Sequence, residues 1–321
     1  MSKAIFFFKC TIISLLAAIP MAMQGLFEDS EIYYQQAMKV WDGGLADALS
    51  SLVIQTGKLE WGFQVILFLE KPFVGDEFSF ILINFVLINL CILHMASIIG
   101  NKTGLNLNIY AIICIVSSYF VLSNTLYVWR TIYAIYFLFL GVNNRSIIWT
   151  VLLIGLSISF HYTAAIFYIL YLAAKRMPDG KFFIVKISFL TSFILFLSIT
   201  YIPFLDSFVS VGGGGAEVFL STEGELWKRL VIGVFLLICL MCYKPENENK
   251  NLYKFSVFLC CISIFLSFNY QLSSRTFVPA ALVGMCLLIN TRGNIILNVL
   301  LLVSCLPSIR IFYLLSTGVF K

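Results

Sequence analysis

Residues 78–99 read FSFILINFVLINLCILHMASII, a run with no acidic residue and no lysine or arginine. Wound as a helix at about 1.5 Å per residue, it reaches about 33 Å, enough to cross a hydrocarbon core of roughly 30 Å. No water is present there to satisfy the backbone, so the N–H and C=O groups must pair within the segment, as a helix allows. Similar runs recur along the chain, residues 182–202 among them. The 321 residues are 60% hydrophobic and 12% charged, with a mean hydropathy of +0.96. Soluble domains are only about half apolar. The expectation is an all-α, polytopic integral membrane protein, a single transmembrane domain over residues 1–321 with about eleven transmembrane helices.

Residues 4–23 follow Lys3 and resemble a secretory signal with small residues near Ala22, and we expect them to remain as an uncleaved first span. The nine cysteines all fall in apolar runs, Cys239 and Cys242 in a CxxC spacing included, without histidines at metal-ligand spacing. They are expected to pack as small apolar residues rather than to form a disulfide or metal framework.

Basic residues favour the cytoplasmic side of a span. One topology satisfies the segments between spans. It places twelve of the 21 basic residues inside, among them Lys3, Lys102, Arg145, Lys175, Arg176 and Arg292, and leaves thirteen of the 16 acids outside. The spans are 4–23, 78–99, 105–123, 124–141, 146–159, 162–175, 182–202, 227–243, 252–269, 275–290 and 294–318, with a cytoplasmic N-terminus. Residues 24–77 become a first periplasmic segment with amphipathic helices, and residues 203–226 a Gly-rich periplasmic loop in which four glycines from Gly212 on form a candidate lid. Residues 60–70 reach only about 16 Å as a helix. Counting them as a crossing would invert every later loop, so they are expected to form a re-entrant or periplasmic half-helix.

Between Arg145 and Lys175 the chain must leave the cytoplasmic side and return in two arms of about 22 Å each, short of the full core. The turn between them reads FHYT, with His161 at its tip. Irregular backbone at that depth needs protein or a wet cavity around it. Arg130, in VWRTIYAIYF, is expected about 9 Å along a helix from Asn124, and Arg275 opens a short span. An arginine within a span costs roughly 2.5 to 3.5 kcal/mol on insertion scales, so it faces protein or water and has a partner. Two guanidinium groups with an imidazole point to an anion site, because guanidinium donates to phosphate as a planar fork and histidine moves protons near neutral pH. Lys228 and Arg229 fall outside against the charge trend. Asp29 and Glu60, in the outer segments, are the candidate carboxylates. No GxxxxGK[ST], GxGxxG after a strand, HExxH or Asp-x-Asp occurs, which leaves nucleotide hydrolysis, dinucleotide redox chemistry, zinc proteolysis and a divalent-metal sugar-nucleotide site without support.

These residues carry a resemblance. The stretch from Asp29 to Tyr33, EWGF from Glu60, VWRTIYAIYF with the turn before Arg145, and FHYTAAIF around His161 make the chain resemble the EpsG family, within the Wzy-type polymerases of bacterial surface polysaccharides. The family pattern often has a proline after the acid, where Trp61 stands here. The resemblance implies a GT-C-like fold and a glycosyltransferase that joins undecaprenyl-diphosphate-linked oligosaccharide repeat units, for an O-antigen or capsule, at the periplasmic face of the inner membrane. It implies His161, Asp29 and Glu60 as catalytic residues, and Arg130, Arg275, Arg229 and Lys228 as holding the diphosphate. No metal or other cofactor is implied. The partners would be the lipid-linked donor and acceptor, membrane lipids and a chain-length regulator, with no nucleic acid. Two other readings fit the same composition: a GT-C-type transferase that adds one sugar from a polyprenyl phosphate, and a flippase for lipid-linked sugars.

Overall fold

The structure is a computed structural model and describes residues 3–26, 29–56, 60–104, 107–201, 223–267, 270–290 and 294–317. Among these residues the chain is all-helical, with fourteen α-helices and no strand. They are α1 (Lys3–Gln24), α2 (Asp29–Thr56), α3 (Trp61–Glu70), α4 (Glu77–Lys102), α5 (Ile109–Ser117), α6 (Tyr119–Thr125), α7 (Trp129–Val142), α8 (Ile147–Phe160), α9 (Thr163–Arg176), α10 (Lys181–Tyr201), α11 (Glu223–Cys242), α12 (Lys250–Phe265), α13 (Tyr270–Leu288) and α14 (Ile295–Ser316). Among the described residues three segments are long and apolar enough to cross a membrane, Ala4–Gln24, Glu77–Lys102 and Ile295–Leu315, and a fourth is obtained if α6 and α7, bent by 119°, count as one broken span. Large apolar side chains stand on the outside of these helices, such as Phe7, Phe8 and Leu16 on α1 and Leu302, Leu306 and Ile309 on α14. Apolar surface of that extent suits contact with lipid. The expected lid, with its four glycines, lies outside the described residues.

Most segments expected as spans are helical within a few residues of their expected ends, but among the described residues only three or four, not about eleven, are long and apolar enough to cross a membrane. The segment expected at 105–123 is not one helix. It is two helices, α5 and α6, parted at Ser118, whose backbone is extended (φ −64°, ψ 133°) and whose Oγ accepts from the Phe120 amide at 3.3 Å. A serine that bonds nearby backbone offers the chain an alternative to continuing the helix. The depth expected for Arg130 also needs correction. The chain between Asn124 and Val128 turns rather than running on as helix, so α7 starts at Trp129 and Arg130 stands in its first turn.

The chain forms two compact units, residues 1–169 with 298–321, and residues 170–297. In the first, α1 packs on α4 and α5, α4 on α7, α7 on α8, and α3 on α2 and α8. Its core is aromatic around Trp129, which is fully buried among Tyr33, Phe80 and Phe85. The second is built around α12, buried on nearly every face and packed against α10, α11 and α13. Basic residues at its helix ends hold backbone oxygens. Lys181 Nζ donates to the Met241 and Tyr243 carbonyls at the end of α11, at 2.6 and 3.0 Å, where a cation complements the helix dipole. Lys254 Nζ donates to the Met177 carbonyl and pairs with Asp179, both at 2.6 Å. All nine cysteines are free thiols.

Candidate functional site

The ten residues of α3 present Gly62, Phe63, Gln64, Leu67 and Glu70 inward and Trp61, Phe68 and Leu69 outward, a one-sided stripe at helical spacing. Two polar contacts tie α3 to α2: Trp41 Nε1 donates to the Leu67 carbonyl at 2.7 Å, and Gln64 Nε2 to Gln36 Oε1 at 3.4 Å. At about 15 Å the helix is too short to cross a membrane, as expected of a half-helix.

Glu60 occupies the N-cap position of α3 yet makes no bond to the amides of that helix. Its carboxylate instead reaches two other elements. Arg130 Nη1 donates to Oε2 at 2.9 Å, and His161 Nδ1 and the Tyr162 amide meet Oε1 at 2.7 and 3.2 Å. The Glu60 side chain is 5% exposed, that of His161 14% and that of Arg130 29%. Burial alone would raise the Glu60 pKa; the His161 and Arg130 side chains and the Tyr162 amide outweigh it and hold the carboxyl below its ordinary value. A buried carboxylate persists only when paired and hydrogen-bonded in this way.

The chain delivers each partner by a break in helix. His161 ends α8 with extended backbone (φ −157°, ψ 121°), which swings its ring off the helix axis before α9 begins. That agrees with the expected turn at FHYT. Arg130 lies over the Tyr33 ring at 5.6 Å, a cation–π contact, and Tyr33 is stacked on Trp129 at 5.2 Å. Asp29, in the first turn of α2, acts electrostatically on both Arg130 and Tyr33. Four residues expected from the sequence, Asp29, Glu60, Arg130 and His161, thus belong to one neighbourhood of the first unit.

With Glu60 ionised and able only to accept, the hydrogen between it and His161 sits on Nδ1. The cluster therefore combines an imidazole, a carboxylate that fixes which of its nitrogens carries the shared hydrogen, and a guanidinium. Tyr33, Trp129 and Gly62 lie in the stretches that carry the resemblance but have no role assigned there, although Tyr33 follows Asp29 by four residues on the same helical face. Arg229 and Arg275 are half-buried residues of α11 and α13 in the second unit, and the Lys228 side chain lies outside the described residues. Among the described residues, no three of His, Cys, Asp and Glu converge as metal ligands.

Gly62 sets the approach of α3 to the end of α8. A Cβ there would stand 2.6 Å from Ser159 Oγ and 2.8 Å from Phe160 Cδ2. Ser159 is bonded to the Leu156 carbonyl, and the Phe160 ring is stacked on Phe137, so neither yields easily. Gly62→Ala is expected to cost about 1–3 kcal/mol by overpacking and to weaken the Glu60–His161 contact two residues away. Thermal unfolding of the purified protein and an activity assay on the same sample measure both effects.

Compared with known proteins, the chain matches no family model, no curated protein and no solved structure.

Proposed function

We propose that the chain is a polysaccharide polymerase that joins polyprenyl-diphosphate-linked oligosaccharide repeat units at the outer face of a bacterial inner membrane. The observation that carries this reading is the single carboxylate of Glu60 shared between Arg130 and His161. A glycosyl transfer from a diphosphate needs a base for the incoming hydroxyl and a cation for the departing phosphate, and the cluster offers both.

In the proposed step the acceptor sugar hydroxyl loses its proton to His161 Nε2 while its oxygen attacks the anomeric carbon of the donor chain. The bond from that carbon to the diphosphate oxygen breaks, and undecaprenyl diphosphate departs with both electrons. Arg130 stabilises the charge that gathers on it. Glu60 holds His161 in the reactive tautomer and stabilises the imidazolium that forms, as the aspartate does in a serine-protease triad. Asp29, within electrostatic reach of Arg130, helps to orient the acceptor hydroxyl. Because Glu60 accepts from three donors, the orienting role fits it better than the role of base.

The asymmetry of basic residues supports about eleven crossings with a cytoplasmic N-terminus, which puts this cluster toward the periplasm. A chain-length regulator is the proposed protein partner. The test is product length in a strain deleted for its own copy. The intact chain should restore a ladder of polymer lengths, and Arg130→Ala should leave single repeats. A ladder from Arg130→Ala removes the guanidinium from the chemistry. Addition of a single sugar by the intact chain would assign it to a polyprenyl-phosphate transferase instead.

A further inference from the structure

The buried face of α3 ends in a second carboxyl, which the proposed chemistry leaves unused. Glu70 is 4% exposed and about 15 Å along the helix from Glu60. Asn84 of α4, wholly buried, donates from Nδ2 to Glu70 Oε2 at 2.9 Å and to the Phe80 carbonyl at 3.1 Å. The remaining oxygens of the pair, Glu70 Oε1 and Asn84 Oδ1, are both buried without a hydrogen-bond partner. So is the hydroxyl of Tyr133 on α7, which lies within electrostatic reach of Glu70.

A carboxylate oxygen and an amide oxygen are both acceptors only, and a buried acceptor left unpaired is costly. One added proton satisfies both. The acid O–H then donates to Asn84 Oδ1 while the amide N–H donates to the acid, closing a ring of two hydrogen bonds. We propose that Glu70 and Asn84 form a proton-binding site that clamps α3 to α4 through a neutral acid–amide pair.

The surroundings favour a proton over a fixed charge. Lys39, Asp42 and Asp47 of α2 and Glu77 of α4 are exposed, and the Lys71 ammonium is bonded to the Trp41 carbonyl. α8 carries no ionisable side chain. Tyr133 is buried, Cys91 is half-buried within its electrostatic reach, and Arg130 and His161 are engaged at the far end of α3. Burial raises the Glu70 pKa from 4.5 to about 7, with only the Asn84 bond opposing it. A raised pKa means that the contribution of the protonated pair is whole below 4.5 and is lost as the pH rises through about 7.

The test is infrared difference spectroscopy of the full-length protein in lipid nanodiscs, titrated from about pH 5 to about pH 9. The expected result is a protonated-carboxyl band that shifts in deuterated water, fades with a midpoint near 7 and is missing from Glu70→Gln. Glutamine reproduces both bonds of the ring, so Glu70→Gln should fold and should lose the fall in melting temperature that the natural chain shows as pH rises. A band already gone at about pH 5, as for an ordinary carboxylate, overturns the proposal. Stabilisation by sodium but not by choline at about pH 8, lost in Glu70→Gln, also overturns it by making the occupant a metal cation. The titration of the natural chain decides the matter even if the variant fails to fold. No arm depends on polymerase activity, so failure of the functional reading leaves the proton site standing.

Discussion

Glu60→Ala is expected to abolish the proposed chain extension and to destabilise the protein by about 3 kcal/mol, the lower end of what removing one partner of a buried ion pair costs. The lower end applies because the Arg130 side chain is 29% exposed and regains part of its hydration. The loss of activity is larger than the loss of one contact, since the same carboxylate seats Arg130, His161 and the Tyr162 amide. Glu60→Gln separates stability from chemistry. It keeps the volume but turns an amide N–H toward groups that themselves donate, so activity is expected to fall about 100- to 10,000-fold, the range lost when acid–base catalysis is disabled, while the melting temperature falls less than in Glu60→Ala. Full activity in Glu60→Gln would reduce the carboxylate to a structural role. Because the Glu60 pKa is depressed, its contribution stands above its ordinary value of 4.5 and fades as the pH falls below it. Acid should therefore weaken the natural protein at this site and leave Glu60→Gln unaffected there.

The helices of this fold were legible because the apolar runs are long and uninterrupted. α1, α4 and α14 were expected within a few residues of their ends. Where the signal is a single serine, as at Ser118, hydropathy reads straight through a break that side-chain bonding to the backbone creates. The same limit misplaced Arg130, whose depth was counted along a helix that starts only at Trp129. The site was legible as a set of polar residues in apolar sequence, and its connections were not. Glu60 lies 70 residues from Arg130 and 101 from His161, so no periodicity links them. Charge counting likewise cannot distinguish a carboxylate that accepts a substrate proton from one already taken by three donors. The basic residues assigned to one side by the charge rule have local work as well: Lys181 and Lys254 hold carbonyl oxygens at helix ends, a detail invisible without the helix termini themselves.

Trp129→Ala is expected to destabilise the protein by about 3–5 kcal/mol, the range for emptying a buried tryptophan site, and to carry much of the activity with it. Trp129 is fully buried, its Nε1 donates to the Thr125 carbonyl at 2.8 Å, and its ring supports Tyr33, Phe80 and Phe85. Tyr33 in turn lies beneath the Arg130 guanidinium. Removing the indole leaves a cavity behind Tyr33, so Arg130 loses the surface that sets its angle to Glu60. Trp129→Phe fills most of that space and gives up the one hydrogen bond, worth about 1 kcal/mol. It should therefore recover most of the melting temperature and most of the activity. If Trp129 acts on the site through Tyr33, the losses in Trp129→Ala and Tyr33→Ala should not add, because residues in contact share their effect. Additive losses in the double variant, measured as activity at a temperature where all forms remain folded, would show that Trp129 supports the core alone and that Arg130 is held by Glu60 without help from the rings beneath it.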